Sequence, residues 1–204
     1  MAAKDDQSLV RSSLNGDTEA FGQLVRRYQD RLYPTLLRLT GSPDDALDLL
    51  QEAFLRAFQN LGRYRGQSSF FTWVYRIAVN LAISERRHRK TSPSHAAKQG
   101  LDQLENLPAS TQEDPSLRLE RAEEEQRIQN ALMRLPDEGR VIVVLRDLDG
   151  LSYEEIAEAL QIPIGTVRSR LHRARTELKQ ILERAELLPP KPSWQAKASN
   201  SLAD

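Results

Sequence analysis

Residues 70–90 predict one long helix that has two different faces and ends in a run of positive charge. Apolar side chains recur there at steps of three and four residues, which places them on one stripe facing a core. This stripe comprises Phe70, Trp73, Val74, Ile77, Ala78 and Leu81. The intervening side chains fall on another side, where they would meet solvent or a ligand. They are Thr72, Tyr75, Arg76, Asn80 and Arg87. Two faces of this kind indicate two different partners for the helix.

The loop before this helix, residues 62–69, combines two glycines, two arginines, a tyrosine and two serines. Single-stranded nucleic acids are held by cationic grooves that carry aromatic or guanidinium stacking surfaces, with about 1–3 kcal/mol for each stacked base. A structural reading also fits, because basic residues in the last turn of a helix interact favourably with its dipole. This region alone leaves nucleic-acid binding and a structural role both open.

Charge is distributed unevenly along the chain, although the formal net charge is zero. Residues 63–90 carry seven basic side chains against one acidic, a net charge of +6. Residues 166–184 carry six against two, a net charge of +4. The segment between these patches is acidic, and we hypothesise that it folds over the basic faces of the free protein. Its acids are Asp102, Glu105, Glu113, Asp114, Glu120, Glu123, Glu124 and Glu125.

Several classes of chemistry are excluded or disfavoured by composition. The chain has no cysteine, which excludes disulfides, thiolate zinc sites and thiol redox chemistry. No phosphate-cradling glycine loop or nucleophile elbow is present, and the three histidines are isolated in sequence. We therefore predict no enzyme activity, no cofactor and no metal site. The N-terminal residues lack an apolar signal core and no segment approaches the length of a membrane span, so we expect a cytoplasmic protein without direct membrane insertion.

Two further helices are predicted in the N-terminal half. The first starts near Asp17 and keeps helical period to Gly41, although Pro34 is expected to kink it or split it in two. Ser42 and Pro43 give a strong start signal for the second, through a side-chain cap and a fixed φ. Its predicted buried side comprises Ala46, Leu50, Ala53, Phe54, Ala57, Phe58 and Leu61. Its other side carries Asp48, Gln51, Glu52 and Leu55, a pattern that is usually only a solvated surface.

The C-terminal half is also predicted to be helical. Residues 91–116 lose apolar periodicity and gain proline and polar residues, which indicates a flexible linker. A helix over 117–135 follows, and Pro136 breaks it. The β-branched run 141–148 would fit a strand, but the helices on both sides favour a short buried helix. Residues 186–204 are polar and proline-containing, which predicts a disordered tail.

The spacing after Gly150 is typical of a helix-turn-helix. Ser152 and Glu155 have capping-box form, a turn is predicted over 161–165, and a longer helix starts at Thr166. Polar side chains at the start of that helix are placed where a recognition helix meets base edges, and arginine with guanine is the commonest specific contact. These side chains are Arg168, Ser169, His172 and Arg173.

Three segments together carry a resemblance to a known family. They read DLLQEAFLRAF (48–58), FFTWVYRIAVN (70–80), and LSYEEIA (151–157) followed by GTVRSRLHRAR (165–175). In this order they resemble the bacterial RNA polymerase sigma factors of the extracytoplasmic function (ECF) group, within the sigma-70 family. The resemblance covers about residues 17–182, whereas the helix-turn-helix alone would be shared with many response regulators.

The resemblance implies partners and a role for each surface. Asp48, Gln51, Glu52 and Leu55 match the surface that docks on the β′ clamp helices of core RNA polymerase, and the β flap is the second expected polymerase contact. The loop and polar helix face match the part that melts and reads the minus-ten promoter element as a single strand. These residues are Arg63, Tyr64, Arg65, Ser68, Ser69, Thr72, Arg76, Asn80 and Arg87. Residues 168, 169, 172 and 173 match the reader of the minus-thirty-five element, and an anti-sigma factor is the expected regulator.

The expected fold is therefore all-α, with two small helical domains joined by a flexible linker and a helix-turn-helix in the second domain. The expected boundaries are 1–90, 91–116, 117–185 and 186–204. The alternative is a conventional helix-turn-helix regulator that binds duplex operator DNA independently of core polymerase. Such a regulator has no need of the face around Asp48 or of the surface from Tyr64 to Arg87.

Overall fold

The computed structural model describes residues 5–91 and 115–186, and side chains within 5–88 and 121–184. These residues form eight α-helices, and none of them lies in a strand. The helices are α1 Asp6–Leu14, α2 Thr18–Thr40, α3 Pro43–Gln59, α4 Phe70–Thr91, α5 Pro115–Arg134, α6 Asp137–Val143, α7 Tyr153–Leu160 and α8 Ile164–Glu186. The predicted all-α fold, with one helical region on each side of the proposed linker, is confirmed. Most of that linker and the predicted tail lie outside the described residues.

Most helix starts follow the capping signals in the sequence. The Asp17 carboxylate accepts a hydrogen bond from the Ala20 amide, and the Ser42 hydroxyl accepts one from the Asp45 amide. At α7 both bonds of the capping box between Ser152 and Glu155 are present, as predicted. Two boundaries differ from expectation, because α8 already begins at Ile164 and the run 141–148 is a short helix followed by a π-helical turn, Val144–Leu148.

Pro34 does not split α2, which runs unbroken from Thr18 to Thr40. A proline inside a helix costs about 3 kcal/mol through a lost hydrogen bond and a steric clash. The same part of α2 buries Leu32, Leu36 and Leu39 almost completely, and each such side chain contributes about 1.5–3 kcal/mol. Burial around the proline therefore outweighs the local penalty.

Helix α1 was missed by the periodicity argument, because its nine residues hold only a short apolar run. Asp5 caps it, and Leu9 and Val10 are buried against the other helices. The Asp6 carboxylate accepts hydrogen bonds from the Tyr28 hydroxyl and the Arg27 guanidinium, which ties α1 to α2. Partial burial, with the bond to Asp6 and its charge, raises the pKa of Tyr28 to about 12.

The N-terminal half is built around Phe70, the first residue of α4. Its side chain is only 1% exposed. Its ring centroid lies 6.3 Å from that of Phe21, 6.0 Å from Tyr28 and 5.9 Å from both Tyr64 and Trp73. These distances are typical of favourable aromatic pairs. One ring thus joins α2, α4 and the loop before α4.

Two side chains lie on a different face from the predicted one. Phe58 was expected in the core, but it is 40% exposed and meets Phe21 only edge-on. Tyr75 was expected to meet solvent or a ligand, but it is 2% exposed, and its hydroxyl donates to Asp149 of the C-terminal half. Helical periodicity reports a position on a helix but not which neighbour covers it.

The C-terminal half packs α6 and α7 against α8, and a buried arginine joins its first two helices. Arg140 is 1% exposed. Its Nε donates to the Leu132 carbonyl, and its Nη2 donates to the carbonyls of Met133 and Leu135, at 2.7, 2.8 and 3.1 Å. The last carbonyls of a helix have no intrahelical partner, so this guanidinium closes the C-terminal end of α5.

The two halves are in contact, and their buried apolar side chains form one continuous cluster. Arg140 Nη1 donates to the Leu39 carbonyl at the end of α2, 3.1 Å away, and Gln129 Nε2 donates to the Leu37 carbonyl at 3.2 Å. Gly41 ends α2 with φ +75°, and a Cβ atom there would lie 2.6 Å from the Met133 side chain. The C-terminal half therefore sits on the end of α2.

We predict that Arg140→Met lowers the free energy of unfolding by about 3 kcal/mol, because methionine keeps the apolar stem but leaves several buried carbonyls without a donor. Urea denaturation followed by circular dichroism measures this change. Arg134→Met is the matched control, since Arg134 is exposed on α5, and its effect should stay within about 0.5 kcal/mol. Equal effects of the two changes would show that the carbonyl contacts are not stabilising.

Candidate nucleic-acid and protein interfaces

Helix α3 presents one exposed face that mixes acidic, amide and apolar side chains. Asp48, Gln51 and Leu55 are exposed, and Leu55 is 50% exposed. Glu52 on the same face accepts a hydrogen bond from Arg56 Nε at 2.6 Å, an exposed pair one helical turn apart. The structure thus places all four residues of the predicted polymerase surface on one side of α3.

Sequence reasoning missed two apolar members of this face. Leu47 is 46% exposed and Phe58 is 40% exposed, and their helical positions adjoin those of Gln51 and Leu55. Large apolar side chains that share one exposed helix face are typical of a protein interaction site. The available signal was that apolar residues cover more than one stripe of α3, which is wider than a single buried face needs.

The loop before α4 is held in place by Tyr64 and Ser69. The Tyr64 hydroxyl donates to the Ser68 carbonyl at 2.7 Å, and its ring packs 5.3 Å from that of Trp73. Tyr64 is therefore half-buried and supports the loop. The Ser69 hydroxyl accepts a hydrogen bond from the Thr72 amide at 3.0 Å and lies 2.8 Å from the Thr72 hydroxyl. Arg63 and Arg65 are exposed on the same loop.

A cleft of about 360 Å³ opens between the end of α3 and the middle of α4. Its lining combines two guanidinium groups, two amides, a hydroxyl and an indole ring beside aliphatic carbon. The lining residues are Arg56, Asn60, Arg63, Trp73, Ile77, Asn80, Leu81 and Ser84. Cationic donors beside an aromatic surface are the chemistry that holds an unpaired base and its phosphate. Predicted residues Arg63 and Asn80 meet there, and sequence reasoning had placed Trp73 only in the core.

The remaining predicted residues of α4 are not brought together. Thr72 is half-buried at the start of the helix, whereas Arg87 is exposed near its end, about four turns away. Arg76 forms an ion pair with Glu158 of α7, and its side chain is 24% exposed. The polar face of α4 is thus partly covered by the C-terminal half.

Helix α8 projects four predicted side chains from its first turns. Arg168, Ser169, His172 and Arg173 are all exposed. The opposite side of the helix is buried through Val167, Leu171 and Ala174, which pack in the same buried cluster as Ile156 of α7. The predicted helix-turn-helix packing is confirmed.

Other arginines of α8 are engaged within the C-terminal half. Arg170 pairs with Glu138 at 3.1 Å, and Arg175 Nε donates to Asp147 at 3.0 Å. The bond to Asp147 raises the pKa of Arg175 further above its usual value. Two of the four arginines between 168 and 175 therefore anchor the helix, and the other two project from it.

The structure describes only some of the acids that are hypothesised to cover the basic faces. Glu123, Glu124 and Glu125 are exposed on α5, and Glu124 pairs with Arg127 of the same helix at 3.5 Å. Side chains of the other acids in that segment lie outside the described residues. Over 5–91 and 115–186, no helix is both long and apolar enough to cross a bilayer.

Comparison with known proteins gives a consistent result. Residues 24–91 match the family described as Sigma-70 region 2, and residues 125–178 match Sigma-70, region 4. The chain is 37% identical over 186 residues to the RNA polymerase sigma-H factor of Pseudomonas aeruginosa, covering 90% of this chain and 96% of that protein. It is 40% identical over 175 residues to the ECF RNA polymerase sigma-E factor of Escherichia coli, covering 83% and 90%.

A solved structure shares the fold. The Bartonella quintana sigma factor RpoE, solved with the anti-sigma factor NepR, aligns with a TM-score of 0.62 at 24% identity, over 80% of this chain and 96% of that chain. The matches to both sigma-70 regions and to relatives along nearly their whole length establish the family. The chain belongs to the ECF group of sigma-70 family RNA polymerase sigma factors.

Proposed function

We propose that this sigma factor binds core RNA polymerase through the exposed face of α3 and reads promoter DNA through two separate basic surfaces. The observation that carries this proposal is the separation itself. The exposed face of α3, the cleft between the end of α3 and α4, and the first turns of α8 are three separate surfaces, and both α3 and α8 bury the opposite side of the helix.

Each half of the chain has its own role in this proposal. Residues 1–90 serve polymerase docking and the minus-ten element, and residues 117–185 serve the minus-thirty-five element. Residues 91–116 link the two domains, and 186–204 form a tail. The α3 face meets the β′ clamp helices through Asp48, Gln51, Glu52 and Leu55, with Leu47 and Phe58 adding apolar area. The C-terminal domain is the part that meets the β flap.

At the minus-ten element the cleft beside α4 takes an unpaired base. Extruding a base costs a few kcal/mol, and stacking on Trp73 with contacts from Arg63 and Asn80 offsets that cost once polymerase holds the DNA. The loop and α4 supply the surrounding phosphate and base contacts. These come from Arg65, Ser68, Ser69, Thr72, Arg76 and Arg87, with Tyr64 holding the loop. Binding energy alone opens the duplex, so no bond chemistry, catalytic residue or cofactor is part of the proposal.

At the minus-thirty-five element the first turns of α8 enter the major groove. Arg168 and Arg173 project there, with Ser169 and His172 between them. The ion pairs of Arg170 and Arg175 brace the same helix against α6 and the turn after it. This function is exerted in the cytoplasm, where RNA polymerase meets the chromosome. An anti-sigma factor is the proposed regulator, in line with the Bartonella sigma factor solved with NepR.

We predict that Asp48→Ala/Leu55→Ala weakens binding to core RNA polymerase at least about tenfold, because it removes a charge and an apolar anchor from the centre of the α3 face. Biolayer interferometry with immobilised core polymerase measures the change. The double change Glu19→Ala/Gln23→Ala removes an exposed acid and an exposed amide from α2 and should leave binding within about twofold. Unchanged binding by the α3 variant would place polymerase docking elsewhere.

We predict that Arg168→Ala/Arg173→Ala lowers run-off transcription at least about tenfold on promoters that need the upstream element, since one arginine–guanine contact contributes about 1–3 kcal/mol. Run-off assays with core polymerase and genomic promoter fragments measure this loss. Arg184→Ala, near the end of the same helix, is the control. Core polymerase binding should remain normal in both variants. If wild type binds promoter duplex tightly without core polymerase and leaves start sites unchanged, the chain acts as a conventional regulator instead.

A further inference from the structure

The arginines at the start of α8 differ in what holds their side chains. Arg170 and Arg175 are paired with carboxylates, and Arg173 Nε donates to a carbonyl of its own helix at 3.4 Å. Arg168 has neither an ion pair nor a side-chain hydrogen bond within the described residues. Its guanidinium carbon Cζ instead lies over the ring of Tyr153, 5.9 Å from the ring centroid. An aromatic ring of α7 is therefore the group that restrains this side chain.

Contact with a ring leaves the hydrogen-bond donors of an arginine free. The five N–H donors of a guanidinium lie in its plane, whereas an aromatic ring attracts the cation through the face of the ring. A carboxylate, such as the one that meets Arg175, occupies those donors instead. A guanine takes two N–H donors at its O6 and N7 atoms. The contact with Tyr153 thus restrains Arg168 while its donors stay available for a base.

Tyr153 is itself well placed to hold another side chain. It is the first residue of α7, directly after Ser152, whose capping box with Glu155 fixes the start of the helix. Its side chain is half-buried and packs against the buried apolar cluster. A tyrosine has only two side-chain torsions, so packing of one part of the ring restricts the rest. The ring is therefore a rigid surface beside the first turns of α8.

A second guanidinium group contacts the same ring from the turn before α7. Arg146 Cζ lies 5.1 Å from the ring centroid, and Arg146 Nη1 donates to the Leu151 carbonyl at 2.7 Å. Arg146 belongs to the π-helical turn Val144–Leu148, and the next residue, Asp147, pairs with Arg175 of α8. Turns of this kind are rare and are frequent at functional sites. Here the turn places one side chain against the ring and the next one against α8.

We propose that Tyr153 is a positioning residue that determines specificity, because its ring holds the Arg168 guanidinium in the orientation that reads a guanine of the minus-thirty-five element. The proposal rests on the proposed function of α8. Tyr153 has no need to touch DNA in this role. An exposed arginine loses side-chain freedom when it binds, and a ring that restrains it beforehand reduces that loss. Removal of the ring therefore weakens discrimination at the base pair that Arg168 reads and leaves the other base contacts of α8 unchanged.

Run-off transcription with core RNA polymerase tests this role on a panel of promoter variants. The template is the genomic fragment that gives wild type its strongest transcript, with each single base-pair substitution in its upstream element. Arg168→Ala and Arg173→Ala first show which base pair each arginine reads, because the preference there disappears in that variant. Tyr153→Leu should then lower discrimination at the Arg168-dependent base pair at least about threefold and change it less than about 1.5-fold at the Arg173-dependent one.

Three further variants separate positioning from a structural effect. Tyr153→Phe keeps the ring without the hydroxyl and should keep the wild-type preference at both base pairs. In the Arg168→Ala background, Tyr153→Leu should have no further effect on preference, since a residue that acts through Arg168 then has nothing to hold. Glu154→Ala removes the neighbouring exposed acid and should leave both preferences unchanged. Circular dichroism checks the helix content of every variant, and Tyr153→Met replaces Tyr153→Leu in the comparison if leucine lowers it.

The other outcomes overturn the positioning role in different ways. A loss of preference in Tyr153→Phe as large as in Tyr153→Leu would assign a direct DNA contact to the hydroxyl. An equal loss at both base pairs, or a further loss in the Arg168→Ala background, would show that Tyr153 only supports the fold.

The same panel distinguishes this inference from the function on which it rests. An Arg168-dependent base pair that Tyr153→Leu leaves unchanged would reject the positioning role and keep the proposed reading by α8. Transcripts that depend on no base pair through Arg168 would reject that reading, and the positioning role with it.

Discussion

The whole arrangement depends on how two arginine side chains satisfy the carbonyl groups at the open ends of two helices. Helix α2 ends at Thr40, and the residue that would donate to the Leu39 carbonyl, four positions on, is Pro43, which has no N–H. That carbonyl instead accepts from Arg86 at 2.8 Å and from Arg140 at 3.1 Å. Arg140 also serves three carbonyls at the end of α5. One side chain therefore closes two helices that belong to different halves.

This solution explains why a buried cation is tolerated. The guanidinium lies at the negative ends of two helix dipoles, and all three of its nitrogens donate to carbonyl oxygens. Helix ends buried without partners would be costly, and a buried charge without hydrogen bonds would be costlier still. The guanidinium supplies donors to the open helix ends, and the carbonyls of those ends supply acceptors to the buried charge. The contact between the halves is therefore polar at its centre and apolar around it. Such a contact fixes the relative position of the two halves, but water enters it more easily than it enters a purely apolar core.

Local sequence signals predicted where helices begin and end better than they predicted which neighbours cover each helix. Capping signals at Asp17, Ser42 and Ser152 and the breaks at Gly41 and Pro136 depend on neighbouring residues only, so they could be predicted from sequence. The exposed faces of α3 and α8 follow from helical period once one side is assigned to the core. Tyr75 could not be placed in this way, because its hydroxyl meets Asp149, 74 residues away in the chain, and no helical period encodes that contact.

The candidate site was incomplete for the same reason. Trp73 belongs to the apolar stripe by spacing, and only the crossing of α3 over α4 leaves its ring on the wall of a cleft. Leu47 and Phe58 were missed because exposure depends on which helices fail to cover α3. Sequence patterns assign side chains to helix faces, while function here depends on which faces remain open after packing. The family motifs pointed to the α3 face and to polar residues of the loop and α4, but they did not indicate Leu47, Phe58 or Trp73.

Joining two DNA-binding domains by a linker has two opposing effects. The link that lets the two domains meet distant elements also keeps them at high effective concentration for each other, so even a weak complementary contact closes them. Three acids of the C-terminal half meeting basic and hydroxyl groups of α2 and α4 supply such a contact. In the structure these contacts cover part of the polar side of α4, where Tyr75 meets Asp149 and Arg76 meets Glu158. The formal net charge of zero means that the basic patches at 63–90 and 166–184 are balanced by acids elsewhere in the chain.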